Sequence, residues 1–297
     1  ESGEGAIDLC EIDRRLQSLS ALTFESDYLA AARPVIIAGG ADGMSARQAW
    51  RREHFFEMFG PEVCGAQKLP VSKSELLDGP EGEDVTLGRY FERVASGTHN
   101  ADAGSPPLAW NNPRNSSLWE AVAEADLSWP SALMVPGLRT DLGNFGLFVG
   151  PRRSGVSMHY HKAAWNALLF GRKLWVLSPP RGSTFRRTEV AASAFESSWF
   201  AEAEARAAAH ARGEANAVDS DRIYCVQRQG DVLFVPAGWA HSTINLRESV
   251  AVANFFPDNE AAGYRPNKMF HSRPGMRSLQ TAAGILVPSD YDPEGHP

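Results

Sequence analysis

Three histidines are the residues of this sequence whose type and spacing could bind a metal ion. His159 and His161 are two positions apart, and a β-strand projects such residues from one face, so both imidazoles can reach the same ion. A metal centre that also binds substrate needs a third protein ligand and open positions. His241 is the candidate, because Pro236 and Gly238 interrupt an apolar run just before it and place it at the start of a strand.

The ligand set indicates a divalent metal without choosing among metals. Imidazole nitrogen suits iron, zinc, copper and nickel. All three ligands are neutral, so the ion would keep its double positive charge. A bound water would then be more acidic, and a carboxylate co-ligand would bind more favourably. A lone histidine is more often a structural residue, and it is the His-x-His spacing together with the distant His241 that favours a metal.

Apolar runs of strand length surround the histidines. The runs at 145–149, 165–170 and 174–177 predict three consecutive strands separated by Gly, Pro and Arg-Lys turns. Further strands are predicted at 33–39, 108–110, 223–226, 232–235, 241–246 and 250–256. Short antiparallel strands joined by Gly-Asp and Pro-x-Gly-Trp turns are typical of a double-sheet jelly roll. We therefore predict a mainly β protein with added helices.

Helical patterns flank the strands and set the expected domain organisation. Helices are predicted near Ile12, Leu16 and Leu19 and at 24–32, 45–59 with a capping box at Ser45, 86–95, 118–125 and 193–212 with a glycine stop at Gly213. We predict one domain over 1–297. A helical cover spans about 1–130, and a jelly-roll core spans about 131–257 with a helical insertion at 190–213. A C-terminal tail follows at 258–297.

The order of these motifs resembles the jumonji-C (JmjC) branch of the cupin-like oxygenases. The resemblance is carried by Gly-Pro-Arg-Arg-Ser-Gly at 150–155, His-x-His at 159–161, Ala-Trp-Asn-Ala-Leu-Leu-x-Gly-Arg-Lys-x-Trp-x-Leu-x-Pro-Pro at 164–180 and Gly-Asp-Val-Leu-Phe-Val-Pro-x-Gly-Trp-x-His at 230–241. It extends over roughly 24–257. The resemblance implies the JmjC fold, which is a cupin-like jelly roll also called a double-stranded β-helix.

The resemblance also implies an activity and its residues. Family members of this type are Fe(II) and 2-oxoglutarate-dependent oxygenases, so we expect hydroxylation of a protein side chain with His159, His161 and His241 binding iron. Lys173 would form an ion pair with the distal carboxylate of 2-oxoglutarate, and Asn166 would hydrogen-bond this cosubstrate near the metal. No catalytic residue beyond the metal ligands is implied. A solvated turn lysine is the alternative interpretation of Lys173.

Departures from the family pattern keep two further functions open. The second ligand is Asp or Glu in the family, and this chain has His161 there. Val156 and Ala253 stand where family members often carry hydroxyl side chains that contact the cosubstrate. The chain could therefore be a catalytically inactive JmjC-like protein that acts through protein contacts. It could also be a three-histidine metal oxygenase that does not use 2-oxoglutarate.

Composition and motifs indicate which binding partners and which cellular compartment to expect. A net charge of -7 argues against a broad nucleic-acid surface, and a protein substrate or partner is expected. Arg152, Arg153, Arg172 and Lys173 could form a local basic patch, but the favoured interpretation of the three arginines is that they are turn residues on a solvated edge. No apolar run approaches the ~18 residues that span a bilayer. The His-aromatic-His variant is similar to a lumenal branch of the family, which implies the endoplasmic reticulum lumen, with the cytoplasm as the alternative.

Two further sequence features bear on that compartment. The chain begins with Glu1 and not with methionine, as expected if a signal or transit segment has been removed, and Asn115 opens a glycosylation sequon. The three cysteines, Cys10, Cys64 and Cys225, have no metal-binding spacing. One pair could form a disulfide and leave the third free.

Overall fold

The structure is a computed structural model of the chain. It describes residues 7–61, 63–67, 83–89, 92, 108–111, 127–136, 138, 146–150, 152, 155–159, 163–179, 198–214 and 222–256. Several predicted features lie outside these residues: His161, Arg153, the sequon at Asn115, the helix at 118–125, most of the helix at 86–95 and the tail at 258–297.

The described residues form eleven strands and four helices. The strands are β1 (Asp13–Leu16), β2 (Val35–Ala38), β3 (Val63–Gln67), β4 (Glu83–Thr86), β5 (Leu108–Asn111), β6 (Gly146–Gly150), β7 (Gly155–His159), β8 (Ala164–Ser178), β9 (Ile223–Arg228), β10 (Val232–Val235) and β11 (Ala240–Phe255). The helices are α1 (Ala21–Phe24), continued by a π-helical turn (Glu25–Leu29), α2 (Ser45–Ala49), α3 (Arg52–Phe59) and α4 (Ser198–Ala211), with a 3₁₀ turn at Ser131–Leu133.

Strands β8 and β11 pair antiparallel and run through both sheets of the fold. Their segments 164–170 and 250–255 lie in a large sheet with the order β1-β2-β10-β8-β11-β6-β5-β3-β4. Their segments 172–178 and 240–247 lie in a small sheet, flanked by β9 on one side and β7 on the other. Two sheets that share their long strands form a jelly roll, so the predicted fold class is confirmed.

Three apolar clusters define the layers. The cluster between the two sheets contains Ile36, Trp175, Leu177, Cys225, Leu233 and Val235. The outer face of the large sheet packs against α1, α2 and α3 through a second cluster that includes Phe24, Trp50, Phe55, Trp165 and Phe234. The outer face of the small sheet packs against α4 and the N-terminal segment through Ile7, Leu9, Trp199, Phe200, Tyr224 and Ile244. Because both faces of β8 are covered, large apolar residues occupy both of its faces.

The structure corrects the expected strand boundaries. Strand β8 is continuous where two strands and a Gly-Arg turn were predicted, and β11 is continuous where strands at 241–246 and 250–256 were predicted. The chain does not reverse at Gly171. It forms an irregularity in which Phe170 pairs with Val250 while Arg172 pairs with Arg247. Two residues of β11 are therefore accommodated as a bulge, and both strands bend from one sheet into the other.

The N-terminal region also differs from its prediction. The expected helix near Leu16 is strand β1, which pairs parallel with β2. An ion pair ties it to the β9–β10 turn, in which Nη2 of Arg14 lies 2.8 Å from both carboxylate oxygens of Asp231. The predicted helix at 45–59 is two helices, α2 and α3, and Ser45 makes no capping hydrogen bond. The expected helical cover contributes β1 to β5 to the large sheet. Tertiary pairing overrides weak local propensity in these segments.

The N-terminal segment 7–11 closes the outer edge of β9. The backbone N–H of Val226 donates to the carbonyl of Leu9 at 2.7 Å, and that of Glu11 donates to the carbonyl of Tyr224 at 2.9 Å. A disulfide joins Cys10 to Cys225 in the middle of this contact. Arg172 also holds the segment, because its guanidinium donates to the carbonyl of Ile7. The interpretation of Arg172 as a turn residue on a solvated edge is wrong, since it lies within β8.

Helix α4 lies inside the range predicted for the helical insertion. It ends as the glycine stop predicts: Gly213 has a φ of 74°, and the N–H of Glu214 donates to the carbonyl of Ala209 at 3.0 Å. The Glu202 carboxylate accepts a hydrogen bond of 2.9 Å from the hydroxyl of Tyr224, which fastens α4 to β9. No helix within the described residues combines the length and the apolar character needed to cross a bilayer.

We expect Gly171→Ala to destabilise the fold more than Gly213→Ala. Both glycines have a positive φ, which costs an alanine about 1–2 kcal/mol. A Cβ at Gly171 would in addition lie 2.3 Å from the carbonyl oxygen of Glu248, whereas nothing lies within 4 Å of a Cβ at Gly213. The free energy of unfolding, measured in urea, should fall by about 3 kcal/mol or more in Gly171→Ala and by about 1–2 kcal/mol in the control. Equal losses would contradict the tight crossing of β8 and β11.

Candidate functional site

The interior face of the small sheet brings polar side chains between the two sheets. Along β8, Leu174 and Val176 pack outward towards α4, while Trp175 and Leu177 pack into the inner cluster. Lys173 therefore lies on the inner face, since alternate residues of a strand share a face. In the pairing with β11, Asn245 is opposite Lys173, Thr243 is opposite Trp175, and His241 is opposite Leu177.

His241 is held in the tautomer that a metal ligand requires. The side chain is buried, and its Nδ1 lies 2.9 Å from the carbonyl oxygen of Trp239. A carbonyl only accepts, so Nδ1 carries the hydrogen and donates it. In the neutral ring Nε2 then bears the lone pair. Such a backbone contact commonly orients a metal-binding imidazole. The ring also packs against Trp175, with centroids 5.9 Å apart.

The backbone places His159 next to His241. His159 is the last residue of β7, and its Cα is the register partner of His241 in the antiparallel β7–β11 pair. Residues in this relation share a face, with Cβ atoms typically about 4.5–5.5 Å apart. The structure thus brings together two of the three predicted ligand positions, while His161 lies outside the described residues. The described side chains contain no group of three potential metal ligands.

Lys173 is a buried cation with no matching anion among the described residues. Its side chain is 5% exposed, so its interpretation as a solvated turn lysine is wrong. Burial lowers the pKa of its ammonium group to about 8. No described carboxylate pairs with it, although a buried charge without a partner is strongly unfavourable. An anionic ligand that entered the space between the sheets would remove this penalty.

Asn166 lies on the same strand as Lys173, not on a neighbouring strand as the sequence suggested. Its pairing partner on β10 is Leu233, a member of the inner cluster, so Asn166 also occupies the inner face. The side-chain Oδ1 of Asn166 is buried and accepts no hydrogen bond from the described residues. Buried amide oxygens are normally satisfied, which makes this atom a candidate ligand contact.

Gln227 is a site residue that the sequence analysis missed. It is fully buried and pairs in register with Lys173. Its Oε1 accepts from the indole N–H of Trp175 at 2.8 Å, and its Nε2 donates to the carbonyls of Asn166 at 2.9 Å and Asp231 at 3.0 Å. This amide fixes the backbone beneath Asn166. Strand alternation from Cys225 could have placed Gln227 on the inner face.

The position of Val156 is supported by hydroxyl groups from β11. The backbone N–H of Val156 donates to Oγ1 of Thr243 at 3.3 Å, and its carbonyl accepts from the hydroxyl of Ser242 at 2.8 Å. These contacts fasten β7 to β11 beside the register shift between His241 and Thr243. The hydroxyl side chain that Val156 lacks is therefore present nearby, on Thr243, which is buried and opposite Trp175.

These features define a jelly-roll protein with a candidate metal and anion site between its sheets. The chain matches the family described as cupin-like domain over residues 21–262 and belongs to that family. The resemblance to its JmjC branch, which the motifs indicated, is confirmed by the relatives of the chain. The likeness extends over the described jelly roll and the helices that cover it.

Three relatives illustrate the range of related proteins. JmjC domain-containing protein 8 of Mus musculus is 25% identical over 246 residues, which are 83% of this chain and 82% of that protein. Arginine-specific demethylase JMJ22 of Arabidopsis thaliana is 27% identical over 256 residues, covering 80% of this chain and 44% of the demethylase. The 2-oxoglutarate and iron-dependent oxygenase JMJD4 of Gallus gallus is 19% identical over 293 residues, covering 84% and 61%.

We expect Lys173→Met to stabilise the protein in the absence of ligand. Below about pH 8 the folded protein must keep a proton on a buried amine, and a folded-state pKa of about 8 against about 10.5 corresponds to a penalty on the order of 3 kcal/mol. Methionine has a similar length and no charge. The free energy of unfolding at pH 7, measured in urea, should therefore rise by about 1–3 kcal/mol.

The pH dependence provides an internal control for this prediction. Between about pH 8 and 10.5 the unfolded state holds the Lys173 proton and the folded state does not. The stability of the unsubstituted protein should therefore rise with pH through this window relative to Lys173→Met, and the two should converge above it. A variant that is less stable at pH 7 would show that the ammonium has a counter-ion in the folded protein.

Proposed function

We propose that the protein is a JmjC-type oxygenase that uses Fe(II) and 2-oxoglutarate to hydroxylate a side chain of a protein substrate. The observation that carries the proposal is the buried ammonium of Lys173, which lies on the same inner face as His241 and has no carboxylate partner among the residues that the structure describes. A site that binds a dicarboxylate cosubstrate beside a metal needs this combination of a cation and an imidazole. The relatives that are a demethylase and a 2-oxoglutarate and iron-dependent oxygenase support the reaction class.

The histidines are the residues that would hold the metal. His241 offers Nε2 as a ligand because its Nδ1–H is donated to Trp239, and His159 is its register partner. His161 would complete the set, as the His-x-His spacing predicts. When bound, Fe(II) and 2-oxoglutarate would together supply the dioxygen chemistry, for which the chain has no side chain of its own.

Lys173 and Asn166 would bind the cosubstrate. An ion pair between the ammonium and a carboxylate is stronger where water is excluded, and the inner cluster supplies apolar surroundings through Trp175 and Leu177. A bound carboxylate would raise the pKa of Lys173 again and keep it charged near neutral pH. Asn166, whose backbone carbonyl accepts from Gln227, would donate from its side-chain Nδ2 to the same ligand, because a carboxylate can only accept.

Metal content and cosubstrate turnover, measured in parallel, test this proposal. The protein loaded with Fe(II) should contain about one ion per chain by elemental analysis. It should also form succinate from 2-oxoglutarate without a protein substrate. His241→Ala and His159→Ala should lose both properties. The control, His210→Ala on α4, should keep both. Lys173→Met should keep the metal and bind 2-oxoglutarate on the order of 100-fold more weakly.

The alternatives give different results in the same experiment. Metal binding without any effect of 2-oxoglutarate would indicate a three-histidine metal oxygenase. A protein that binds neither would contradict an enzymatic role and indicate a scaffold that acts through protein contacts. His161 in place of the family's carboxylate is the residue that favours these outcomes.

We also propose that the protein works in an oxidising compartment, the lumen of the secretory pathway. The Cys10–Cys225 disulfide supports this location, because such bonds persist in oxidising environments and are rare in the cytosol. The bond joins residues 215 positions apart, so it restricts the unfolded chain strongly.

Reduction of the disulfide should lower the free energy of unfolding by about 2–5 kcal/mol. Urea denaturation with and without a reductant measures the change. The double variant Cys10→Ser and Cys225→Ser is the matched control, and its stability should not respond to the reductant. Alkylation and mass spectrometry of the protein isolated from its cells would contradict the proposed compartment if both thiols were free.

A further inference from the structure

A cavity lies outside the jelly roll, at the bend of its two longest strands. It has a volume of about 410 Å³ and is lined by Arg47, Trp50, Arg51, Arg52, Arg247 and Glu248, among others. Its floor is the irregularity where β8 and β11 pass from one sheet to the other. None of Asn166, Lys173 and His241 lines it, so this cavity is separate from the proposed metal and cosubstrate site.

The cavity has more positive charge than its carboxylates neutralise. The Arg52 guanidinium donates two hydrogen bonds to the Glu248 carboxylate. Arg47 faces the carboxylate of Asp42 at 3.5 Å. Arg51 and Arg247 form no ion pair with any described residue, and both are exposed. Four arginines and the carboxylate of Glu248 line the cavity, and two further carboxylates lie beside it: Asp42 near Arg47, and Glu53 near Arg52 in the first turn of α3. Arg51 and Arg247 are the two cations of the lining that have no ion pair among the described residues, in a chain whose net charge is -7.

The backbone adds further hydrogen-bond donors to the same place. Helix α3 begins at Arg52, and its N-cap residue Arg51 makes no side-chain capping hydrogen bond. The first N–H groups of a helix have no partner within the helix, and its positive dipole end attracts anions. Trp50 and Phe170 form an apolar side of the cavity. The lining as a whole is partly polar and partly apolar. A ligand that combines an anionic group with an organic part would match this lining.

We propose that this cavity binds a phosphate monoester. Arg51 and Arg247, which have no ion pair among the described residues, match the two charges of the dianion, and the tetrahedral phosphate can accept hydrogen bonds from these guanidinium groups and from the first turn of α3. The volume lies within the range of about 300–1,000 Å³ that small-molecule sites occupy. A bare phosphate fills only part of it, so the remaining space against Trp50 takes the esterified organic group.

Isothermal titration calorimetry with phenyl phosphate and with inorganic phosphate tests the proposal on the whole chain. Phenyl phosphate should bind more tightly than inorganic phosphate, because its ring reaches the apolar side. The double variant Arg51→Gln and Arg247→Gln should weaken binding of both probes on the order of tenfold or more. Raising the salt concentration should weaken it as well.

Matched variants separate this site from general charge effects and from the interior site. The double variant Arg33→Gln and Arg212→Gln removes the same number of positive charges from exposed positions elsewhere, and it should keep the affinity within about twofold. Lys173→Met should also keep it. The single variant Arg247→Gln, at an exposed position, gives an intermediate loss if the double variant folds poorly.

Three results would overturn the inference. The first is an unchanged affinity in both Arg247→Gln and the double variant. The second is equal binding of succinate, which would show that the cavity does not distinguish phosphates from carboxylates. The third is loss of phosphate binding in Lys173→Met, which would place the probe between the sheets.

Discussion

The pairing of β8 with β11 is the constraint on which the rest of the structure depends. Strand β8 has 15 residues and β11 has 16, and their register runs from Ala240 opposite Ser178 to Phe255 opposite Ala164. Every other layer is attached to this pair: β10 and β6 extend it into the large sheet, and β9 and β7 extend it into the small one. The space between the sheets exists because both strands bend at Gly171.

That geometry explains why polar groups accumulate inside a largely apolar molecule. On the small sheet, the inward-facing positions of β8 and β11 include Lys173, Asn245, Thr243 and His241. Lys173 pairs with Asn245, while Thr243 and His241 pair with Trp175 and Leu177 of β8. Gln227 satisfies the backbone and the indole around them. The amino group of Lys173 has no such support from the described residues, although folding must desolvate it. A fold that keeps this ammonium group in its interior loses some folding free energy, as is expected where a site serves ligand binding.

Much of this arrangement can be predicted from local sequence, and the remainder depends on contacts that are distant in the chain. The apolar runs of β8, β10 and β11, and the turn before His241, show their strand character directly. The bend at Gly171 could not be distinguished from a turn, because glycine supplies a positive φ for either. Strand β1 contains Asp-Arg-Arg-Leu, and only pairing with β2 and the Arg14–Asp231 ion pair make it a strand. The cavity beside Arg51 is also lined by residues that lie about 120 and 200 positions further along the chain, so no local sequence pattern could have predicted it.

The link between Cys10 and Cys225 sets a condition on biosynthesis. Cys225 is made 215 positions after Cys10, whereas Cys64 follows Cys10 by only 54 positions. A chain synthesised from its N-terminus therefore presents Cys10 and Cys64 together long before the native partner exists. Any bond formed between these two thiols must be exchanged before segment 7–11 can cover the edge of β9. The native bond can therefore form only after strands β1 to β8 have been synthesised.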